Sequence, residues 1–499
     1  MNRKILIALI AIVVIIGASA YIFTNHIYDD SINIDASALT ESGSLIVDGE
    51  SLEKSNGLYH SETSDNNTVL VKNGGSLKLT NSILNKTGST QTSGDDADFY
   101  GVNSAVLVNT NGTLDISNVE INSNATGSNG IFVTNSDGSG SGEASQGDGG
   151  QPPEMPSGDG AEGSEMPAGD MAQGSEDGGS PQGGGAQPGE STASGTTQAN
   201  IKNVKITTHS DKSRGLDATY NGIINAENVI INTDGQSCAA LATDRGEGHV
   251  YVKNGEINTG VSKTSGRGSP LIYSTGNITL ENTKGTSYVS QIACIEGKNS
   301  IELNYCNLTG YAGGNRQDGG EYVDLGGVFI YQSMSGDADV GTSLFSAKNS
   351  YLSIASDSPV YKTAPMFHIT NTACVINLEN TELNFGSGVF LESSSQNQWG
   401  NTGSNGGVAE LNTYNQKISG KVIVDDISSL NWTMGKKTEF AGSINSTGNT
   451  TVIVESDATW TLTGDSNITS LESPGHIEYG DYKLYVNGHP FTKSNPHEG

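Results

Sequence analysis

Short runs of Val, Ile and Leu recur along most of the chain, and polar segments rich in Gly, Asn, Ser and Thr separate them. The runs belong to a repeated unit, in which an apolar strand is followed by a polar loop, a second strand, an Asn, two variable residues, and Ile or Leu. Runs this short, bounded by Gly and Asn, are typical of β-strands. The spacing between units varies from the low twenties to the forties, and the shortest spacing fits one turn of a β-solenoid.

The Asn of the repeat explains how the chain turns between strands. It stands at the same place in nine units, and Tyr305 replaces it in one more; the nine are Asn81, Asn118, Asn203, Asn228, Asn254, Asn282, Asn349, Asn380 and Asn415. Asn tolerates the left-handed backbone conformation better than other non-Gly residues. Side-chain amides stacked about 4.8 Å apart can also hydrogen-bond along the stack. The repeat therefore predicts an all-β, right-handed, single-stranded parallel β-helix rather than a mixed globular fold.

Three regions are predicted along the chain. Residues 1–30 form a signal peptide or membrane anchor, residues 31–420 form the β-helix, and residues 421–499 form a narrower β-solenoid extension and cap. Residues 136–198 interrupt the β-helix with a segment rich in Gly, Ser and acidic residues that contains no Lys or Arg. This composition cannot bury a core and predicts a disordered acidic loop. The loop is either a tolerated surface insertion or a tether for cations or partners.

The N-terminal segment predicts export. Residues 5–23 are apolar or small without a break, Arg3 and Lys4 precede them, and Asp29 and Asp30 follow. This order of charges places the N-terminus inside and the remainder of the chain outside. Residues 18–20 form a small-x-small cleavage site, whereas the whole stretch is just long enough to span a bilayer as an uncleaved anchor. Either interpretation predicts an extracellular or cell-surface protein whose only membrane contact is this segment.

The net charge of the chain limits the classes of molecule that can be its binding partners. The formal net charge is −30, and phosphate binding needs clustered Lys and Arg, so nucleic acid is excluded as a partner. Divalent cations, neutral glycans and cationic partners remain open. The low aromatic and charged content, 6% and 16%, fits a repeat fold with a thin core better than a compact enzyme.

Four cysteines in an exported chain suggest disulfides, but the repeat argues against them. It aligns Cys238 with Cys294 in one strand class about two rungs apart, and it separates Cys306 from Cys374 by a similar distance. Two rungs correspond to roughly 10 Å, which is too far for a disulfide. We therefore expect all four cysteines to be buried, unpaired, apolar residues.

The rung pattern with its Asn corner resembles the right-handed β-helices of pectate lyases, polygalacturonases and autotransporter passengers. The strings Arg214-Gly-Leu-Asp-Ala-Thr219 and Thr459-Trp-Thr-Leu-Thr-Gly-Asp465 resemble exported bacterial β-helix proteins described as adhesin-like. The resemblance covers most of residues 40–470 and implies a fold far more than a function. No catalytic motif of these groups can be matched here, so no catalytic residue is carried over.

Mixed charges could converge on one face only in the middle rungs. The candidate ligand-binding residues there are Arg214, Asp217, Asp244, Arg245 and Arg267, with Tyr273 and Tyr331 as aromatic platforms for sugar rings. Arg214 and Arg267 stand at similar positions just before the first strand of their rungs. Ion pairs between loops are the simpler interpretation of these charges. A glycan-binding groove is the alternative, and an Arg or Lys beside three carboxylates in a groove would instead favour a lyase.

Two groups of aspartates are candidates for calcium, which prefers six to eight oxygen ligands. One group is Asp95, Asp96 and Asp98, and the other is Asp337 and Asp339. Neither matches an EF-hand or the nonapeptide repeat of calcium-binding β-rolls. Ca²⁺ is thus the one cofactor that the sequence suggests.

Three functions remain open at the level of sequence. The first is a non-enzymatic, adhesin-like surface protein that binds polysaccharide or a host cell-surface glycan. The second is a calcium-dependent polysaccharide lyase or glycoside hydrolase of the β-helix class. The third is a structural spacer that holds the acidic loop away from the cell.

Overall fold

Two long parallel sheets make up nearly all of the described chain. The computed structural model describes residues 32, 34–92, 94–136, 194–263, 268–315, 322–333 and 335–491. Each turn of the chain adds strands to both sheets, and strands from successive turns pair in parallel. The strand Gln198–Thr208, for example, pairs with Thr113–Ser123 on one side and with Ile223–Thr233 on the other. This stacking is that of a parallel β-helix, so the predicted fold class is confirmed.

The larger sheet has 20 strands. They are β1 Thr40–Ser42, β3 Ser51–Ser55, β4 Gly57–Ser61, β6 Ser76–Lys86, β8 Thr113–Ser123, β10 Gln198–Thr208, β12 Ile223–Thr233, β14 His249–Thr259, β16 Asn277–Glu281, β17 Lys284–Ser287, β19 Ser300–Asn304, β20 Asn307–Gly310, β24 Thr342–Lys348, β25 Tyr351–Ile354, β27 Ala373–Glu379, β28 Glu382–Asn384, β30 Val408–Tyr414, β32 Ser429–Met434, β34 Asn449–Val454 and β37 Ser470–Glu472.

The second sheet has 18 strands. They are β2 Leu45–Asp48, β5 Val69–Lys72, β7 Val106–Asn109, β9 Ile131–Thr134, β11 Leu216–Thr219, β13 Leu241–Thr243, β15 Ile272–Ser274, β18 Ala293–Glu296, β23 Val328–Tyr331, β26 Phe367–Thr370, β29 Val389–Ser393, β31 Lys417–Val424, β33 Glu439–Ser446, β35 Thr459–Leu462, β36 Ser466–Ile468, β38 His476–Glu478, β39 Leu484–Val486 and β40 His489–Pro490. Outside the two sheets lie a 3₁₀ turn at Ala36–Ala38, an α-helix α1 at Gly94–Tyr100 and an antiparallel hairpin of β21 Gly313–Asn315 and β22 Tyr322–Asp324.

The corner residue divides each regular turn into three walls. In one turn, β11 belongs to the 18-stranded sheet, which we call the first wall. The following strand β12 bends at Asn228, where φ is 55°. We call the part of the 20-stranded sheet before the corner the second wall and the part after it the third wall.

The corner positions have the backbone conformation that the sequence predicts. All nine asparagines have a positive φ, between 47° and 55°, and Tyr305 has a φ of 54°. The amides form the predicted ladder, since Asn228 Nδ2 donates to Asn203 Oδ1 at 3.1 Å and Asn254 Nδ2 donates to Asn228 Oδ1 at 3.1 Å. Asn282 continues it to Asn254 at 2.7 Å. Tyr305 interrupts the ladder because its side chain carries no amide.

Replacing Tyr305 with Asn should therefore stabilise the solenoid. The tyrosine side chain is 49% exposed, so little packing is lost, and Asn costs less than Tyr in the left-handed conformation. The new amide would lie between Asn282 and Asn349. We expect a gain of about 0.5–1.5 kcal/mol in the free energy of unfolding, the usual net value of one hydrogen bond. Denaturant titration measures it, and a Tyr305→Ala variant that loses stability serves as the control.

Residues that alternate along the strands fill the interior. Towards the C-terminal end the core holds a column of aromatic rings whose centroids are 4.7–6.0 Å apart: Phe345, Phe367, Phe390, Trp432, Phe440 and Trp460. All four cysteines are buried and free, which confirms that prediction. The alignment behind it was wrong in part, because Cys294 lies inside β18 whereas Cys238 lies three residues before β13. The strand register pairs Cys294 with Tyr273 and Tyr273 with Ala242, four residues after Cys238. An error of this kind arises where loops of different length precede the strands.

The long insertion leaves the solenoid ladder unbroken. Residues 137–193 lie outside the described residues, but β9 before them pairs with β11, and β10 after them pairs with β8. The two ends of the insertion meet where Thr197 Oγ1 donates to Asn135 Oδ1 at 2.7 Å. The flanking strands therefore belong to one rung.

The two termini differ in how much of them the structure describes. The predicted export segment, residues 5–23, lies outside the described residues. Within the described part of the chain, no helix has the length and apolar character needed to cross a membrane. After residue 420 both sheets continue, and β32 pairs with β34 through a shorter turn than those of the middle rungs.

Candidate functional site

The outward face of the first wall gathers most of the predicted site residues. Leu216 and Ala218 of β11 point into the core, and Asp217 between them points outward. Strand register places Asp217 in one row with Phe132, Ala242, Tyr273, Cys294, Phe329 and His368. This row lies on the outside of the solenoid, but its members are mostly buried. Other segments must therefore cover the first wall.

Helix α1 covers the row around Asp217. The rings of Tyr100 and Tyr220 stack with centroids 5.7 Å apart, and the Arg245 guanidinium lies 3.8 Å from the centre of the Phe99 ring. Thr219 Oγ1 donates to the carbonyl oxygen of Phe99 at 2.9 Å. Aromatic and cation–π contacts of this kind attach the short helix to the wall.

Arg214 is the centre of a buried ion network beneath α1. Its Nη1 lies 3.2 Å from Asp98 Oδ1 and 3.5 Å from Asp217 Oδ2, and its Nη2 lies 3.0 Å from Asp244 Oδ2. Lys212 adds a second cation 3.1 Å from Asp98 Oδ2. The side chains of Arg214 and Asp217 are 11% and 0% exposed. One arginine thus faces three carboxylates with little access to solvent.

Burial dominates the proton affinities in this network. Desolvation raises the pKa of Asp217 to about 7, and the positive charge of Arg214 offsets part of that increase while Asp98 adds to it. Desolvation likewise raises the pKa of Asp244 well above its usual value. Within the described residues, neither carboxylate oxygen of Asp217 accepts a hydrogen bond. The network therefore holds carboxyls whose proton affinity is raised by burial, and Asp217 is only partly ionised near pH 7.

A second group of predicted residues lies further along the same wall. Arg245 Nη2 contacts Asp337 Oδ1 at 2.7 Å, and Lys298 Nζ contacts Asp339 Oδ2 at 3.0 Å. Asp337 and Asp339 are thus each paired with a cation. The Tyr273 hydroxyl donates to Glu296 Oε2 at 2.8 Å.

Tyr331 is the last of the predicted site residues along the first wall. Its ring lies 5.3 Å from that of Trp399 and 4.5 Å from that of Phe329. Burial raises the pKa of the Tyr331 hydroxyl well above its usual value, and it does the same for Tyr273. The tyrosines expected to stack on sugars are thus half-buried and packed against protein.

The structure brings together Arg214, Asp217, Asp244, Arg245, Tyr273 and Tyr331, together with Asp98 and Asp337 from the expected calcium groups. Arg267 and the side chain of Asp95 lie outside the described residues. The strand register places Pro270 level with Arg214, and the expected equivalence of Arg214 and Arg267 stays a prediction. Among the described residues no group of three or more His, Cys, Asp and Glu side chains is arranged to hold a metal ion. Calcium at either aspartate group stays a prediction.

Two accessible grooves of ligand size lie on the second wall. One groove has a volume of about 620 Å³ and a second has about 600 Å³. Their outward side chains form two rows. The first, the groove row, is Lys78, Asp115, Asn200, Asn225, Tyr251, Thr279, Glu302, Ser346, Asn377 and Asn412; the second, the corner-side row, is Ser117, Lys202, Glu227, Lys253, Glu281, Asn304, Lys348, Glu379 and Tyr414.

Both rows run without a register break from the first groove into the second. Tyr251 pairs with Thr279, and Thr279 pairs with Glu302, so the two grooves lie on one continuous surface. At about 4.8 Å per rung, this surface is roughly 45 Å long. It is a strip along the solenoid axis rather than a closed pocket.

Amides and hydroxyls line the strip. Asn200 Nδ2 donates to Asp115 Oδ1 at 2.8 Å, and Asn225 Nδ2 donates to Asn200 Oδ1 at 3.2 Å. In the second groove Asn412 Nδ2 donates to Asn377 Oδ1 at 3.2 Å. Each such amide keeps further donor and acceptor capacity. The strip therefore offers regularly spaced hydrogen-bonding groups to a ligand outside the solenoid.

No family model matches the chain, and no curated protein matches its sequence. Among solved structures, the crystal structure of a TibC-catalysed hyper-glycosylated TibA fragment is similar to this chain. The similarity extends over 90% of this chain and 97% of the TibA chain, with 12% sequence identity and a TM-score of 0.30. These values are too low to support a conclusion about fold or function. The fold assignment therefore stands on the strand pairing described above.

The second-wall strip was missed by the sequence interpretation, although its signal is present. The groove row stands three residues before each corner residue, and the corner-side row stands one residue before it. Asn225-Ala-Glu-Asn228 shows both positions, with Asn225 and Glu227 outward and Ala226 inward. Because the two positions vary in residue type from rung to rung, they stand out less in the sequence than the recurrent corner Asn does.

Proposed function

We propose that the protein is an exported, adhesin-like β-helix that binds polysaccharide along its second wall. The observation that supports this proposal is the continuous polar strip formed by the groove row and the corner-side row. Sugar hydroxyls both donate and accept hydrogen bonds, as the amides of Asn200, Asn225, Asn377 and Asn412 do. The first wall is a weaker candidate, because its charged residues pair with each other under α1 and the following loops.

Two tyrosines add aromatic rings to the hydrogen-bonding groups of the strip. Tyr414 is 50% exposed at the second groove. Tyr251 lies in the first groove, where its hydroxyl donates to Glu281 Oε2 at 2.8 Å and so fixes the ring on the surface. A fixed aromatic ring with one exposed face is a suitable platform for the apolar face of a sugar.

Export is part of the same proposal. The apolar segment 5–23 and the order of charges around it direct the β-helix across the membrane. The net charge of −30 keeps such a protein soluble and separate from anionic surfaces. Mass measurement of the mature N-terminus distinguishes a cleaved signal peptide from a retained anchor.

A glycan array followed by calorimetry tests the binding proposal. For a glycan that binds, Tyr251→Ala and Tyr414→Ala should each weaken affinity by about tenfold, which corresponds to about 1.4 kcal/mol. Tyr482→Ala is the matched control, since Tyr482 is similarly exposed at 43% but lies at the C-terminal end, away from the strip. Loss of binding in the control alone, or no binding by any glycan, would contradict the proposal. The second result would favour the structural spacer.

A lyase is the second candidate function. Arg214 lies beside the carboxylates of Asp98, Asp217 and Asp244, the combination expected for such an enzyme. Burial of these groups beneath α1 weighs against it. Incubation with polygalacturonate and Ca²⁺ tests the candidate, and release of unsaturated product that is lost in Arg214→Lys would support it.

A further inference from the structure

The geometry points to an uncharged, linear polysaccharide as the ligand of the second-wall strip, with its chain parallel to the solenoid axis. This inference rests on the proposed function and adds to it the class and the direction of the polymer. Two independent features of the strip lead to it. They are the pairing of its lysines and the repetition of its side chains from rung to rung.

The lysines of the strip are already paired with carboxylates. In the corner-side row Lys202 lies 3.5 Å from Glu227, Lys253 lies 3.1 Å from Glu281, and Lys348 lies 2.9 Å from Glu379. In each pair the partner belongs to the next rung. These ion pairs run parallel to the axis and cancel charge along the strip.

The lysine of the groove row is paired with a carboxylate as well. Lys78 at its first end lies 2.8 Å from Glu53 of the preceding rung. Every lysine that lines either groove in the described chain is therefore ion-paired. Glu302, Glu455 and Asp115 add further negative charge to the lining.

A polymer that carries carboxylate or sulfate groups would meet this surface without an unpaired cation to neutralise it. To bind, it would have to displace glutamates from lysines and approach a protein of net charge −30. Binding of an anion therefore costs electrostatic free energy. An uncharged polymer has no such cost and can use the amide and hydroxyl groups directly.

The direction of the polysaccharide follows from the repetition of outward side chains from rung to rung. The groove row presents one outward side chain per rung, at intervals of about 4.8 Å, over ten rungs. A polysaccharide that lies along the solenoid axis contacts one further residue of each row at every rung. A polysaccharide that lies across the wall contacts one residue of each row and then leaves the strip. Contacts of a linear polymer with the strip thus increase with polymer length only in the axial orientation.

Titration with oligosaccharides of increasing length tests both the polymer class and its axial orientation. The uncharged probes are cello-, xylo- and manno-oligosaccharides, and the anionic probes are oligogalacturonates and hyaluronan oligosaccharides. For at least one uncharged series we expect affinity to increase with length up to about ten sugars, one per rung. A plateau at two or three sugars would overturn the axial orientation. Tighter binding of an anionic series would overturn the polymer class and leave the proposed function intact, and failure of every series would count against both.

Variants that remove the glutamate partners of the strip lysines test the polymer class directly. Glu227→Gln and Glu281→Gln remove the partners of Lys202 and Lys253, so the double variant should bind the anionic probes at least tenfold more tightly than the native chain. Both glutamates belong to the strip, and Glu281 also holds the Tyr251 ring, so the readout is the ratio of anionic to uncharged affinity in each variant. Glu439→Gln is the matched control, because it frees Lys417 on β31, outside both grooves, and should not improve binding of anions. Equal gains in both variants would show that overall charge, not the strip, controls binding, and would overturn the inference.

Discussion

Replacing Arg214 with Met should lower the free energy of unfolding by about 3–5 kcal/mol, the usual cost of removing one partner from a buried ion pair. The guanidinium is the cation that Asp98, Asp217 and Asp244 share. Methionine fills a similar volume but provides no charge and no donor. The variant would leave three desolvated carboxylates to repel each other beneath α1, and denaturant titration at pH 8 would measure the loss.

A second cation on the same wall provides the control. Lys298 also contacts two carboxylates, those of Glu247 at 2.5 Å and Asp339 at 3.0 Å, but its side chain is 41% exposed. Water screens such pairs, so Lys298→Met should cost less than about 1 kcal/mol. If Arg214→Met were no more destabilising than Lys298→Met, the buried network would contribute no more to stability than an exposed ion pair does.

Hydrogen exchange would locate the effect. The contacts of α1 with the wall include the Tyr100–Tyr220 stack and the bond from Thr219 to Phe99. With Arg214 replaced, exchange should accelerate in residues 94–100 and in β11, and it should stay unchanged in the aromatic column around Trp432. This pattern is expected because each rung of a solenoid contacts only its neighbours.

The fold could be predicted from the sequence because its physical cause is local. A left-handed backbone residue must occur at each sharp corner, few residue types accept that conformation, and Asn254 and its equivalents mark the place. Tyr305 could be identified as the exception by position alone. Once the corners are known, the parallel stacking of the strands between them follows.

The candidate site could be predicted only in part. Arg214, Asp217 and Asp244 come from adjacent rungs, so the repeat places them together. Their burial depends on α1, a short helix in the loop between β6 and β7, whose Asp98 is more than a hundred residues away from Arg214 in sequence. A repeat describes the walls but not the loops that fold over them. The second-wall strip needed the strand register, which shows which residues face outward.

Replacing Asp217 should remove the part of the pH dependence of stability that this carboxyl contributes to the buried network. Burial raises the pKa of this carboxyl from 3.8 to about 7 in the folded protein, so the folded state holds the proton more tightly than the unfolded state does. Stability from this group is therefore present below about pH 4 and is lost as the pH rises through about 7. At pH 8 the charged carboxylate remains in the folded state, near Arg214 but also near Asp98 and Asp244.

Asp217→Asn removes this penalty, because the amide is neutral at every pH. We expect the free energy of unfolding at pH 8 to increase by about 1–3 kcal/mol. This is less than a pKa raised from 3.8 to about 7 corresponds to at about 1.4 kcal/mol for each tenfold change in proton affinity, because the buried Asn amide is itself polar. The gain should shrink as the pH falls towards 5, where Asp217 of the native chain is protonated. Asp211→Asn is the control, since that exposed carboxyl lies in the same rung and accepts a hydrogen bond from the backbone of Gln236. A gain that is equal at pH 5 and pH 8, or one that Asp211→Asn reproduces, would mean that the charge state of Asp217 does not control the stability of the network.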